Sequence, residues 1–223
     1  MSQPTPSASR SAFIEIAGPV GVLEAAIDAS AGPAVATAVV CHPHPKQQGT
    51  MTNKVVTPVA RAFARPNADA VRFNFRGVGK SAGAYAGGAG EGDDALAVVA
   101  WCRERWPNRP LYLGGFSFGA AVAASIAARA APAGLVTVAP PVDRLRAGFV
   151  APRCRWLLVH GEKDDVVPPK PVLEWAAALP SPPKIVLLPG VGHFFHGSLT
   201  AVTRAVTEEF GPELAPAGRS DAS

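Results

Sequence analysis

The feature that most constrains the fold is an alternation of short apolar runs with alanine-rich amphipathic segments. A hairpin is predicted over residues 12–17 and 21–27. Six further runs are predicted strands: 34–42, 69–75, 111–116, 134–139, 155–160 and 184–189. Five segments that separate or follow them are predicted helices: 54–65, 92–105, 119–130, 169–179 and 199–210. Runs that are apolar on both faces are typical of strands covered by helices on both sides. The alternation therefore predicts an α/β fold, a three-layer α/β/α sandwich around a mostly parallel sheet of eight strands.

The length and the charge of the chain limit the number of domains and the kinds of partner that we expect. The 223 residues suit one domain, and a composition of 48% hydrophobic and 17% charged residues is globular. We expect a single domain over residues 11–210, a flexible N-terminal arm over 1–10 and a disordered C-terminal tail over 211–223. The net charge is +4, but the basic residues are scattered. Because no Lys/Arg run is present, we expect no nucleic-acid partner.

Cysteine usage and hydropathy indicate where the protein works. Cys41, Cys102 and Cys154 match no zinc-ribbon or C-x-x-C spacing, and a sparse, odd set is typical of a reducing compartment. The start of the sequence is polar and lacks the apolar core of a signal peptide. No unbroken apolar stretch is long enough to span a bilayer. We expect a cytoplasmic protein without a membrane partner, and a homodimer remains open.

A serine lies where a predicted strand meets a predicted helix, in "GGFSFGA" at 114–120. The spacing is G-x-S-x-G around Ser117. A nucleophilic hydroxyl must be lifted clear of the backbone, and a sharp strand-to-helix turn does this. Side chains two positions away would clash in such a turn, so Gly115 and Gly119 fit it. The helix start also directs free N–H groups at developing negative charge. The alternative is a glycine-rich turn that only allows close packing.

A serine nucleophile needs a base and an acid. All five histidines fall at or just after a predicted strand end, and His193 lies in the glycine-flanked loop "PGVGHFFHG". The preceding strand is followed by "HGEKDDVVP", which offers Asp164 and Asp165. The chain order Ser, Asp, His is the order of the α/β-hydrolase triad. The residues alone do not separate the two aspartates.

At this point the sequence resembles the α/β-hydrolase superfamily, most closely its small lidless bacterial serine hydrolases. The motifs that carry the resemblance are "HPHP", "TNKVV", "RFNFRGVGKS" and "GFSFG", in this order and each near a strand end. The superfamily pattern H-G-x-x-D matches "HGEKD" and implies Asp164 as the acid. The pattern G-x-x-H-F matches "GVGHF" and implies His193 as the base, which leaves His196 a structural role.

The resemblance also implies an oxyanion hole of two backbone N–H groups. One belongs to Phe118, the residue after the serine. The other comes from the loop "HPHPK", where Pro43 and Pro45 have no N–H, which leaves His44. In related hydrolases the donor follows a His-Gly pair, and here proline replaces that glycine.

Other functions fit the residues less well. "NFRGVGKS" ends like a phosphate-binding loop, but Asn74 stands where that motif needs its first glycine. His42, His44, His193 and His196 could suggest a metal site, but the run H-x-H-x-D-H of binuclear hydrolases is absent. A non-catalytic binding module of this fold would be expected to lack a member of the triad, and none is missing.

The sequence therefore predicts a serine hydrolase that cleaves a short- to medium-chain carboxylic ester through an acyl-enzyme, with an acyl thioesterase as the alternative. We expect a small-molecule ester or thioester substrate, no cofactor and no metal. The stretch 140–154 is too short for the cap of lipid-cleaving relatives, so we expect an open site. The residues predicted to line its acyl pocket are aromatic: Phe116, Phe149, Phe194 and Tyr85.

Overall fold

The computed structural model describes residues 11–145 and 149–215. Its strands are β1 (Ser11–Gly18), β2 (Gly21–Asp28), β3 (Ala36–Cys41), β4 (Ala68–Phe73), β5 (Leu111–Phe116), β6 (Gly134–Val138), β7 (Arg155–Gly161) and β8 (Lys184–Leu188). Its α-helices are α1 (Val56–Ala64), α2 (Ala89–Arg105), α3 (Phe118–Ala130), α4 (Pro169–Ala177) and α5 (Leu199–Leu214). Single 3-10 turns follow β3 at Pro45–Gln47 and β6 at Val142–Arg144.

The strands form one sheet in the order β1-β2-β4-β3-β5-β6-β7-β8. β2 pairs antiparallel with β1 and with β4, and every other neighbouring pair is parallel. The parallel strands therefore end at the same edge of the sheet, which is where ligands bind in open α/β folds. β3 and β5 pair side by side, so their carboxyl ends and the loops that follow them are neighbours.

Helices cover both faces of the sheet. α1 and α5 pack together on one face, where Val59, Phe63 and Phe210 belong to one buried cluster. α2 and α3 cover the other face, together with α4, whose Trp175 contacts Trp156 of β7. α1 buries Val56, Val59, Ala60 and Phe63, the i, i+3, i+4, i+7 spacing that predicts an amphipathic helix. The three-layer fold predicted from the sequence is confirmed.

Two helix ends differ from the prediction by three residues or more, and the others by at most two. α5 continues to Leu214, which is buried, so residues 211–214 are helical rather than part of the predicted disordered tail. α2 begins at Ala89, because Glu91 accepts hydrogen bonds from the N–H groups of Ala86 and Gly88 and caps the helix. The predicted arm at 1–10 and the rest of the tail, from 216, lie outside the described residues.

No cap domain is inserted after β6 in the part of the chain that is described. Between β6 and β7 the described residues form only the short 3-10 turn, with Val142 and Leu145 buried against the body of the protein. Among the described residues, no helix combines the length and apolarity that crossing a bilayer requires.

Candidate active site

Ser117 lies between β5 and α3 in a backbone conformation that side chains rarely adopt, with φ 52° and ψ −121°. Its N–H donates to the carbonyl of Val138 at 2.8 Å, and its carbonyl accepts from Ala120 and Ala121 in the first turn of α3. These bonds hold the strained residue between strand and helix, and its side chain is partly exposed. A non-glycine residue at positive φ is uncommon and is typical of functional turns.

Both glycines of the motif are required by close backbone approach. A Cβ on Gly115 would overlap the carbonyl of Gly119 across the turn. A Cβ on Gly119 would overlap the backbone of Cys41 and His42 at the end of β3. The first clash is the one expected from the sequence; the second shows that α3 also leans on the neighbouring strand.

The structure brings Ser117, His193 and Asp164 together although they come from three separate loops. His193 Nδ1–H donates to Asp164 Oδ2 at 2.8 Å, because a carboxylate can only accept. The other ring nitrogen, Nε2, is then free to accept, and it lies 3.1 Å from Ser117 Oγ. His193 and Asp164 are each 4% exposed. A hydroxyl, an imidazole and a carboxylate in this chain of hydrogen bonds can activate the hydroxyl as a nucleophile.

Asp164 is buried and fully bonded. Its Oδ1 accepts from the N–H groups of Val166 and Val167 at 3.0 and 2.7 Å. Burial by itself raises the pKa of the carboxyl, but the hydrogen bonds from His193 and Val167 and the nearby imidazoles outweigh it and lower the pKa. Asp164 therefore stays ionised beside His193. Asp165 is exposed and makes none of these bonds.

His160, at the end of β7, is a neighbour of this hydrogen-bond chain that the sequence did not single out. Its ring is fully buried, and Nε2 lies 2.9 Å from the carbonyl of Val167 and 3.4 Å from Asp164 Oδ2. Burial lowers its pKa, which keeps the ring neutral. Nε2 therefore carries the proton and supports the carboxylate, and Nδ1 has no partner among the described residues.

His42 fixes the loop after β3. The N–H of Phe75, from the loop after β4, donates to its Nε2 at 3.0 Å, and its Nδ1–H donates to the carbonyl of Pro43 at 2.6 Å. Burial lowers the pKa of His42 to about 4, so the ring is neutral and both nitrogens are satisfied. The 3-10 turn at Pro45–Gln47 follows, and Gly49 packs against the Pro43 carbonyl. Among the described residues, the His44 and Phe118 N–H groups have no hydrogen-bond partner.

A group of aromatic and basic side chains, here named the cationic rim, borders the site beside this loop: His44, Lys46, Tyr85, Phe118 and Arg144. His44 Nε2 lies 3.1 Å from the Tyr85 hydroxyl, and its ring lies 5.1 Å from that of Phe118. Lys46 Nζ lies 5.1 Å from the centre of the Tyr85 ring, and the Arg144 guanidinium lies 5.1 Å from that of Phe118. Partial burial and these two cations lower the pKa of His44.

The four predicted acyl-pocket residues divide into two pairs. Phe116 is 1% exposed and packs beneath the His193 ring at 5.1 Å, so its predicted place in an open pocket is wrong. Phe149 contacts Trp156 and Trp175. It precedes β7 and packs where that strand begins, at the edge opposite Ser117, so its prediction is wrong too.

The other two lie at the site. Tyr85 belongs to the cationic rim, and Phe194 is 53% exposed beside the His193 ring at 5.2 Å. Phe194 and the exposed His196 line a cavity of about 230 Å³ that reaches Thr52 and Lys54. Their contacts with substrate stay predictions.

No arrangement for a metal ion is found within residues 11–145 and 149–215: no group of three or more His, Cys, Asp or Glu side chains could hold one. Two of the four histidines considered as metal ligands from the sequence, His42 and His193, have both ring nitrogens engaged within the protein.

A protein-family model described as "Serine aminopeptidase, S33" matches residues 34–152. The chain belongs to this family of α/β serine hydrolases. The matched segment runs from β3 to the loop after β6, so it contains Ser117 and the loop of His44 and ends before Asp164 and His193. The predicted superfamily is thereby confirmed.

Solved structures and a curated relative extend this hydrolase's likeness beyond the matched segment. An α/β serine hydrolase without a lid from Xanthomonas campestris is 38% identical, with a TM-score of 0.88 over 96% of this chain and 99% of that one. An α/β serine hydrolase homologue from Coxiella burnetii is 40% identical, with a TM-score of 0.84 over 93% of this chain and 99% of that one. An uncharacterized protein of Rickettsia prowazekii is 30% identical over 202 residues, 86% of this chain and 85% of its own.

The motif "RFNFRGVGKS" of this hydrolase proves to be a structural support for the site. Arg72 pairs with Asp28 at 2.6 Å, and Arg76 pairs with Asp94 at 2.7 Å; all four side chains are buried or nearly so. Asn74 accepts from the Met51 N–H. Asp28 at the end of β2 and Asp94 in α2 are thus used in pairing, a role that no local pattern indicates.

Proposed function

We propose that this α/β serine hydrolase cleaves short- to medium-chain carboxylic esters of small molecules through an acyl-enzyme on Ser117. The observation that carries the proposal is the continuous hydrogen-bond chain from Ser117 Oγ through His193 to Asp164, with Ser117 on a strained turn. Nothing in this chemistry calls for a cofactor, and we expect catalysis without a metal.

The reaction proceeds in two halves. His193 Nε2 takes the Ser117 proton while Oγ attacks the ester carbonyl, and a tetrahedral intermediate forms. The imidazolium then gives that proton to the leaving alkoxide, the C–O bond breaks, and the alcohol departs. A water attacks the acyl-enzyme with His193 as base again, and the acid and free Ser117 are released. Asp164, kept ionised by its hydrogen bonds, stabilises the imidazolium in both halves.

The N–H groups of Phe118 and His44 are the proposed donors to the oxyanion. They have no partner among the described residues, and Phe118 is the first residue of α3, where backbone N–H groups point out of the helix. The loop that carries His44 is held by His42, Gly49 and the two prolines. Donors that are fixed before the substrate arrives need no reorganisation during the reaction.

The absence of a cap among the described residues supports an open site and a limited acyl length. Burial of an acyl chain contributes about 0.8 kcal/mol per CH₂ only where protein surrounds it. A thioester has the same carbonyl chemistry, so acyl thioesters remain the alternative substrate.

The test is turnover of purified protein on p-nitrophenyl esters from acetate to palmitate, on matched acyl thioesters and on aminoacyl p-nitroanilides. We expect kcat/KM to rise from acetate, peak at a short or middle length and then fall, with no jump above the micellar concentration. Ser117→Ala should reduce the rate to background. Thr203→Ala is the matched control, since that hydroxyl donates to the Leu199 carbonyl within α5, away from Ser117. Faster cleavage of the anilides, or a rate that climbs through palmitate, would contradict the proposal.

A further inference from the structure

The cationic rim ends at an open cavity of about 210 Å³ that lies beside the nucleophile turn. Phe118, Ala121, Val122 and Ser125 form its α3 wall, and Gly87–Ala89 and Arg144 close it on other sides. The cavity thus begins at the residue next to Ser117 and runs along one face of α3 as far as Ser125. No element of the proposed reaction uses it.

Arg144 enters this cavity from a fixed backbone. The flanking Val142 and Leu145 are 3% and 2% exposed, and the N–H groups of Arg144 and Leu145 close the 3-10 turn on Pro141 and Val142. The side chain itself is exposed and lies over the Phe118 ring at 5.1 Å. A guanidinium over a ring face keeps its N–H donors at its perimeter, where a carboxylate can accept two of them.

The charge of Arg144 is not neutralised within the described part of the chain. It forms no ion pair there, and none of the described residues that line the cavity carries a carboxylate. Glu91, at the start of α2, is fully buried and accepts from the Ala86 and Gly88 N–H groups. Asp93 lies 4.0 Å from Arg129, further along α2 and α3. Lys46 adds a second positive charge to the rim, over the Tyr85 ring.

We propose that the cavity binds an anionic group on the acyl part of the substrate and that Arg144 is the residue that recognises it. This inference rests on the proposed function, because it names the substrate class of the same site. A chain that extends from an acyl carbonyl at the N–H groups of Phe118 and His44 along the Phe118 ring would reach the guanidinium, which lies 5.1 Å from that ring in the same cavity. The favoured substrates are therefore esters of dicarboxylic acids with one free carboxylate.

The experiment compares monoethyl esters of the C4, C6 and C8 dicarboxylic acids with ethyl butanoate, hexanoate and octanoate, measured by ethanol release. The quantity is the ratio of kcat/KM for the anionic ester to kcat/KM for the neutral ester of equal length. We expect the wild-type ratio to exceed one at one length, and Arg144→Met to lower it about tenfold or more, since a charge-assisted hydrogen bond is lost. Arg144→Lys should keep part of the ratio, and added salt should lower it.

Two further arms separate other sources of the anion. An ω-phosphate in place of the carboxylate tests whether the cavity prefers phosphate, and a hexanoate ester of 3-hydroxypropanoate puts the carboxylate on the leaving group. Arg129→Met is the matched control, because Arg129 is an exposed arginine on α3 away from the cavity. A ratio that stays unchanged in Arg144→Met, or a greater preference for the leaving-group carboxylate, overturns the inference. Failure of every ester, with no labelling of Ser117, would instead reject the proposed function.

Discussion

The two sides of Ser117 are built in different ways. On the triad side, His193 and Asp164 are each 4% exposed, and every hydrogen-bonding atom of the two side chains has a partner inside the protein. On the side of the cationic rim, the partly buried rings of His44 and Tyr85 and the buried ring of Phe118 contact one another at 5 to 6 Å, and two cations lie over these rings. The side chains of the triad are held in place by bonds within the protein, whereas the rim presents hydrogen-bond donors and positive charge that a substrate can contact. We infer that the triad side performs the chemistry and the rim selects the substrate.

The largest effect on catalysis is expected at Asp164, and its neighbour Asp165 provides the control. Asp164→Asn removes the charge beside His193 and leaves an amide that favours the wrong tautomer, so kcat should fall on the order of 10⁴-fold. Asp165→Asn changes an exposed side chain one residue away and should cost less than about threefold. Steady-state kinetics of both variants on one p-nitrophenyl ester decide the matter, and the reverse ranking would reassign the acid.

The glycines at the turn provide a test of backbone geometry rather than of charge. Gly119→Ala forces a Cβ into the backbone of β3, and we expect the free energy of unfolding to drop by about 3 kcal/mol. Gly92→Ala is the control within α2, where the new Cβ would make an ordinary contact with Ile126 at 3.4 Å. That change should raise stability by up to about 1 kcal/mol. Urea unfolding of both variants measures the two changes in the free energy of unfolding. Equal changes would show that the turn does not require glycine at position 119.

Acid should weaken the fold through its buried imidazoles. The pKa of His42 falls from 6.5 to about 4 on folding because burial disfavours the charged ring. The unfolded chain therefore binds the additional proton between about pH 6.5 and 4, and stability present at neutral pH is lost as the pH falls through this window. The loss from His42 amounts to about 3 kcal/mol. His160 shifts in the same direction, whereas the lowered pKa of Asp164 acts only below its ordinary value.

His42→Asn isolates this contribution. The variant should be less stable at pH 7, because the Phe75 and Pro43 bonds are lost, but its stability should fall less steeply between pH 6.5 and 4. Urea midpoints at four pH values within that window give the slopes. An unchanged slope would show that His42 does not titrate with folding.

The smallest effect is expected in the cationic rim. Tyr85→Phe deletes the hydrogen bond to His44, worth about 1 kcal/mol, so kcat/KM should fall severalfold while the fold stays intact. Tyr112→Phe is the matched change, since that hydroxyl donates to Glu213 far from Ser117. Equal kcat/KM values for the two variants would show that the Tyr85 hydroxyl contributes nothing to the reaction.

The same division decides what could be predicted from the sequence. Ser117, Asp164 and His193 sit in short motifs whose glycines and strand ends carry the geometry locally, and β5 begins and ends where its apolar run does. The roles of His42 and His160 depend on hydrogen bonds to Phe75 and to Asp164 that form only after folding. Local sequence indicates a histidine at a strand end but not which group it meets.

Aromatic residues show the limit most clearly. Phe116 and Phe194 both flank motif residues, yet one is buried beneath His193 and the other is half exposed. The side of the sheet to which Phe116 points and the path of the loop that carries Phe194 determine which of the two is buried. The residue type alone predicts neither. Nothing in the sequence distinguishes Arg144 from the other scattered basic residues; only the fold places it over the Phe118 ring.

Covalent labelling of Ser117 tests the central claim most directly. Folded wild-type protein, treated with a fluorophosphonate probe and mapped by peptide mass spectrometry, should carry one label on Ser117. The label should be absent in Ser117→Ala and form far more slowly in Asp164→Asn. A label on another residue, or none on protein whose fold is verified by its cooperative unfolding, would contradict the assignment of Ser117 as the nucleophile.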